Sequence, residues 1–114
     1  MQIEERAVGA VTVLDVKGRL ILGEGDVILR DKIHGLVSRG CLQIVLNLAE
    51  MPYMDSGGLG EMVRTHTKVN RANGSLKLMN VTKRIRDLLV VTKLMTVFET
   101  FDSEAEALES FLVV

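Results

Sequence analysis

Three features of this 114-residue chain predict an α/β domain with a mixed, mostly parallel sheet of four to five strands and four helices. Short β-branched runs open it as a hairpin. Apolar segments then switch between strand-like continuity and helical three- and four-residue spacing. Glycine, asparagine or a capping serine, threonine or aspartate punctuates each switch. Strands and helices that alternate after a hairpin belong to a parallel sheet. The length fits one domain over residues 1–114, large enough for a core without staples.

The first two strands are Ile3 to Val8 and Val11 to Val16, joined by a tight turn at Gly9-Ala10. Gly18 breaks the pattern, and Arg19 to Gly25 reads as a loop with some extended character. Asp26 is the expected N-cap of a helix to about Arg39, with Gly40 as its stop and Leu29, Ile33, Leu36 and Val37 on one apolar face. Cys41 to Leu48 is short and almost continuously apolar, which marks a strand covered on both faces. A second helix from about Leu59 to Ala72 carries Leu59, Met62, Val63, His66 and Val69 on one side and ends at Asn73-Gly74. Ser75 to Met79 forms the next strand, and Thr82 caps a helix with Ile85, Leu88 and Leu89 facing inward. Val97 to Phe101 reads as the last strand. Ser103 and Glu106 form a capping box for a terminal helix whose apolar side is Ala105, Leu108, Phe111 and Leu112.

Composition excludes several function classes. A net charge of −1 gives no basic surface for direct nucleic-acid binding. The longest apolar run is far shorter than a membrane span, and the charged start Met1 to Arg6 is unlike a signal peptide, so the expectation is a cytoplasmic protein that contacts no membrane. The single cysteine, Cys41, permits no internal disulfide, and His34 and His66 lie in no pattern that would hold a metal. His66 reads as a packing residue and Cys41 as a buried residue at a strand start.

The segment Met54-Asp55-Ser56-Gly57-Gly58-Leu59-Gly60 concentrates what functional signal there is. It places a serine hydroxyl at the positive end of a helix dipole, where free backbone N–H groups favour an anion. Two uses fit: an N-cap, or a hydroxyl that accepts a phosphoryl group. Gly57 and Gly58, lacking Cβ atoms, would let a partner's backbone or nucleotide phosphates come close to the serine. Asp55 reads as a capping or loop-orienting carboxylate, and Tyr53 as an aromatic anchor beside the loop. Arg64, Lys68 and Arg71 form one stripe on the second helix, either a solvated face or a surface for an acidic partner. Lys83, Arg84 and Arg86 on the third helix have the same two readings. A hydrolase or nucleotide-binding enzyme is the competing class, but the chain lacks a Walker-type Gly-Lys-Ser/Thr sequence and a Gly-x-Ser-x-Gly elbow. No catalytic residue or cofactor is expected.

The order of elements, the 54–60 segment, and the stretches Val16-Lys17-Gly18-Arg19-Leu20, Leu76-Lys77-Leu78-Met79-Asn80 and Phe101 to Leu108 together resemble the STAS domain of bacterial anti-sigma-factor antagonists. The resemblance covers nearly the whole chain and implies a STAS-like fold and a role in transcription regulation by partner switching. It implies that Ser56 is phosphorylated by a serine-protein kinase that is also the anti-sigma factor. The unphosphorylated form would bind that partner and free the sigma factor, and a serine phosphatase would restore binding after phosphorylation. The expected contact residues are Tyr53, Met54, Asp55, Ser56, Gly57, Gly58, Leu59, Arg64 and Lys68. STAS-like domains also imply an alternative, a phosphorylation-independent scaffold module in a larger signalling or transporter-associated complex. The chain departs from the family pattern at Gly57, where a small residue with a side chain is usual, and at Asn47, where an aspartate is usual.

Overall fold

A computed structural model describes residues 1–112. Strands β1 (Gln2–Val8) and β2 (Val11–Lys17) pair antiparallel from Val8↔Val11 to Gln2↔Lys17, so the loop is the two residues Gly9-Ala10. Gly9 has φ +61°, a conformation that glycine reaches without strain. The chain then adds helix α1 (Gly25–Ser38), strand β3 (Gln43–Glu50), helix α2 (Ser56–Arg71), strand β4 (Ser75–Met79), helix α3 (Lys83–Val91), strand β5 (Thr100–Phe101) and helix α4 (Glu104–Glu109). The sheet order is β1-β2-β3-β4-β5, and every pair after the hairpin is parallel. The α/β architecture with four helices and a mixed, mostly parallel sheet is therefore the expected one.

The two faces of the sheet are covered unequally. Strand residues alternate between faces. One set, Leu14, Val16, Ile44, Leu46, Leu48, Leu76 and Leu78, joins Leu29, Ile33 and Leu36 of α1, Met62 and Val69 of α2, and Ile85 and Leu89 of α3. The other set, Val11, Val13, Val45 and Met79, joins Ala107 of α4, with Val8, Phe101, Leu108 and Phe111 around it. Burial on both sides explains why β3 is apolar at consecutive positions rather than alternating.

Polar residues on the α4 face are tied into one network. Arg6 donates to both oxygens of Asp15, at 2.7 and 3.1 Å, and its outer nitrogen reaches Glu104 at 2.7 Å. Asn47 Nδ2 donates to Asp15 at 2.9 Å, and Asn47 Oδ1 accepts from Asn80 at 3.1 Å. The Arg6 hydrogen bond, assisted by Asn47, holds the Asp15 carboxyl below its ordinary range. An aspartate at position 47 would instead set a second carboxylate against Asp15, so the amide suits this neighbourhood.

Three elements begin at other residues than expected, and the terminal helix buries a different face. Helix α1 begins at Gly25, where a Cβ would lie 2.6 Å from the Arg19 carbonyl. Asp26 is thereby drawn into the first turn as a buried residue, and no side chain caps the helix. Helix α2 begins at Ser56 rather than Leu59 because Asp55 caps it. Only Thr100 and Phe101 pair with β4; Phe98 leaves the strand line to pack edge-on against His66, ring centroids 5.0 Å apart. On α4 the buried alanine is Ala107, whereas Ala105 and Leu112 are exposed. Cys41 is half-buried just before β3.

Candidate functional site

The site is built where the ends of β2 and β3 run on side by side beyond the sheet. Gly18 donates its N–H to Glu50 O at 3.0 Å, Leu20 to Tyr53 O at 3.1 Å, and Asp55 to Leu20 O at 3.2 Å. A parallel bridge Leu20↔Met54 continues this pairing. The segment before α2 is thus fixed by main-chain hydrogen bonds to the segment before α1. It is not an open loop.

Asp55 closes the structure. It has extended backbone (φ −95°, ψ 179°), and its Oδ1 accepts the Gly58 N–H at 2.7 Å as the N-cap of α2. Both carboxylate oxygens also lie 3.2 Å from the Leu22 N–H. These backbone donors, Gly58 first and Leu22 next, hold the Asp55 carboxyl below its usual value. Because Asp55 caps, Ser56 falls in the first helical position, exposed, with its hydroxyl in no intramolecular hydrogen bond among the described residues. Of the two uses open to this serine, the cap belongs to its neighbour.

The glycines serve the chain's own packing, which corrects the expectation that they make room for a partner. A Cβ at Gly58 would collide with the Leu20 carbonyl, and one at Gly57 would lie 2.6 Å from Leu22 Cβ. The departure at Gly57 therefore has a local cause: Leu22, 69% exposed itself, lies over that position.

The expected contact residues separate into three groups. Tyr53, Asp55 and Ser56 line a groove of about 440 Å³ with Arg84, Ile85 and Leu88 of α3, and Met54 contributes to its wall. Met54 (4% exposed), Gly58 and Leu59 (7%) are buried, because the bridge to Leu20 and the cap geometry turn them inward; they support the groove from beneath, and of the three Met54 reaches its lining. Arg64 and Lys68 lie elsewhere, on the flank that α2 turns toward α1, with the Arg64 backbone about 12 Å along the helix from Ser56. Arg64 donates to Glu61 at 3.3 Å, and Lys68 Nζ donates to His34 Nδ1 at 2.9 Å.

Two further residues shape the surroundings: Glu61, which the sequence reading passed over, and Arg84, read there with Lys83 and Arg86 as a solvated face or a surface for an acidic partner. Glu61 is 1% exposed and accepts from Arg30 Nε at 3.0 Å as well as from Arg64, which locks α1 to α2 through a buried carboxylate. Its position among Gly58, Met62, Thr65 and Val69 on the inward side of the helix was the available signal. Arg84 lies with its guanidinium carbon 5.0 Å from the Tyr53 ring centroid.

A five-stranded sheet with four helices and an exposed serine behind a capping aspartate defines a small α/β module built around a helix-start site. The STAS domain model matches residues 2–107, and the chain belongs to the STAS domain family. It is 27% identical to the anti-sigma F factor antagonist of Paenibacillus polymyxa over 100% of this chain and 97% of that protein. It is 37% identical to the anti-sigma-B factor antagonist of Bacillus subtilis over 69% of this chain and 75% of that one. Among solved structures, a Thermotoga maritima protein, TM1081, superimposes with a TM-score of 0.88 at 21% identity, covering 95% of this chain and 92% of that one. The Bacillus antagonist SpoIIAA matches in its unphosphorylated form (TM-score 0.75, 20% identity, 99% and 100% of the two chains) and its phosphorylated form (0.74, 20%, 96% and 99%). At those identities the structural matches establish the shared fold. No helix of the described residues is long and apolar enough to cross a membrane.

Proposed function

We propose that this protein is a non-catalytic anti-sigma-factor antagonist whose partner binding is switched off by phosphorylation of Ser56. The observation that carries the reading is the free, exposed Ser56 hydroxyl, released from capping by Asp55 at the rim of a groove. The curated relatives named as antagonists of anti-sigma F and anti-sigma-B factors supply the partner class, and the phosphorylated SpoIIAA structure supplies the precedent for the modification. The partner is an anti-sigma factor that is also a serine-protein kinase, and a serine phosphatase resets the switch in the cytoplasm. The module spans residues 1–114 and uses no cofactor, metal, nucleic acid or membrane contact.

In the transfer step Ser56 Oγ attacks the γ-phosphorus of the kinase's nucleoside triphosphate. The bond to the β-phosphate oxygen breaks, and the hydroxyl proton leaves to a base on the kinase. The product carries close to two negative charges next to Asp55. A partner packed over Tyr53 and Ser56 then meets like charge and desolvation, worth a few kcal/mol, or about ten- to a thousand-fold in affinity. Because Ser56 is exposed and its hydroxyl makes no hydrogen bond among the described residues, the charge acts at the surface and the core stays as it is.

A phosphorylation-independent scaffold is the second reading. The same fold recurs in a murine Slc26a9 anion transporter structure (TM-score 0.72), where the match covers 90% of this chain and only 18% of that one. The near-complete mutual coverage with the Paenibacillus antagonist favours the switch. Paired pull-downs from host lysate with Ser56→Ala and Ser56→Asp baits decide between them. An anti-sigma kinase held by Ser56→Ala and lost by Ser56→Asp supports the switch; the same proteins held by both would reduce Ser56 to a bystander in a constitutive scaffold.

A further inference from the structure

Three cations stand at the start of α3, and two are committed. Lys83 pairs with Asp87 at 3.0 Å, and Arg86 reaches Asp102 at 3.8 Å. Arg84 has no carboxylate or other hydrogen-bond partner among the described residues. Its guanidinium rests near the Tyr53 ring, a weak and largely solvated contact at an exposed site. Tyr53 and Arg84 both line the groove that also contains Ser56. Met54, Ile85 and Leu88 make the rest of the lining apolar apart from Asp55, whose carboxylate is already engaged by the N–H groups of Gly58 and Leu22.

We propose that Arg84 is the in-chain receptor for the phosphoryl group of phosphorylated Ser56, leaving the Tyr53 ring to pair with phosphoserine across the groove. The inference rests on Ser56 being an acceptor and adds how the modified form is read within the domain. A guanidinium presents a planar fork that matches phosphate oxygens, and a charge-assisted pair is much stronger than an exposed stacking contact. The exchange has two consequences for a partner. Part of the new charge is neutralised inside the domain, and the Tyr53–Arg84 pair that the partner meets in the unmodified form is dismantled. The off state then differs from the on state in shape as well as in charge.

The test uses the full chain with phosphoserine installed at position 56 during synthesis, so no kinase is needed. Phosphorus NMR follows the second ionisation of the phosphate, with ordinary pKa near ~6. The wild-type background is expected to ionise about half a pH unit or more below Arg84→Gln, and Arg84→Lys to recover part of that difference. The helix start contributes in all three chains and cancels in the comparison. Tyr53 is the single tyrosine and the chain has no tryptophan, so intrinsic fluorescence isolates its ring. Phosphorylation should change that signal in the wild type and leave it nearly unchanged in Arg84→Gln. Circular dichroism of each variant confirms that the exposed substitution leaves the fold intact. Coincident titration curves for wild type and Arg84→Gln overturn the assignment. Equal retention of partners by the Ser56→Ala and Ser56→Asp baits would sink the natural switch without touching this result. Phosphate-dependent partner release together with coincident curves would sink the role of Arg84 alone.

Discussion

Helices α2 and α4 each follow an Asp-Ser pair, Asp55-Ser56 and Asp102-Ser103, and the chain uses the two pairs in opposite ways. At α4 the serine is the cap: Ser103 Oγ accepts the Glu106 N–H at 3.2 Å, and the Asp102 side chain is 90% exposed. At α2 the aspartate is the cap and the serine moves one place into the helix. The difference lies in what approaches from outside. Leu22 presents an N–H to the Asp55 carboxylate, and Leu20 accepts the Asp55 N–H, so the 20–22 segment holds the aspartate in the capping place. Among the described residues no backbone N–H donates to the Asp102 carboxylate, and Ser103 keeps the capping place at α4. A serine at a helix start is thus free for chemistry only when a neighbour has taken over the cap.

The clearest way to break this contrast is Gly58→Ala. The new methyl would displace Leu20 and with it the clasp, at about 3 kcal/mol and about 15 °C in Tm. Glu106 occupies the equivalent third helical position of α4 and is exposed, so Glu106→Ala should melt close to wild type. A Gly58→Ala protein as stable as wild type would mean that the 20–22 segment is not held there.

Asp55→Ala removes the cap and the Leu22 tether together, and it should lower Tm by about 5 °C. Hydrogen exchange should quicken at the amides of Leu22 and Gly58, and Ser56 is expected to slide into the capping role, making α2 resemble α4. Protection unchanged at both amides would refute the assignment of Asp55.

Ser103→Ala should cost about 1 kcal/mol, whereas Ser56→Ala should stay within about 0.5 kcal/mol of wild type. Equal losses measured by urea denaturation would show that Ser56 is spent on structure after all.

The smallest effect separates the caps by titration. The Asp55 carboxyl is held below its ordinary value of 3.8, so its contribution to stability is complete above that pH and fades as pH falls through the folded value. Ser103 does not titrate. The advantage of wild type over Asp55→Asn should therefore shrink between about pH 5 and pH 2, while the deficit of Ser103→Ala stays constant over the same range.

Much of this fold was legible because strong local signals coincide with the tertiary result. Gly9, Thr82 and Ser103 each do what their residue type and spacing suggest: a turn at positive φ, and two caps accepting from Ile85 and Glu106. Misreadings arose where a distant segment intrudes. Asp26 looks like a cap, yet the approach of Arg19 to Gly25 starts α1 one residue before it. Gly57 and Gly58 look like an opening for a partner, yet the space is filled by Leu20 and Leu22, more than thirty residues earlier in the chain. The serine stands out as a candidate by its context in the 54–60 segment. Which of the two adjacent side chains would cap, and that Arg84 would share its groove, depended on backbone pairings that no local window contains.

The strand order also bears on solubility. Sequential pairing from β1 to β5 leaves two open margins, the kind of edge through which sheets can join into aggregates. One margin, β5, is two residues long and offers little template. The other, β1, is seven residues long but carries Gln2, Glu4 and Glu5 exposed, with Arg6 bonded inward to Asp15 and Glu5 pairing with Lys32 of α1 and with Arg39 just beyond its end. A neighbouring strand would have to bury or displace those charges to add to the sheet. The margin that is long enough to recruit another chain is thus the one whose charges oppose such pairing.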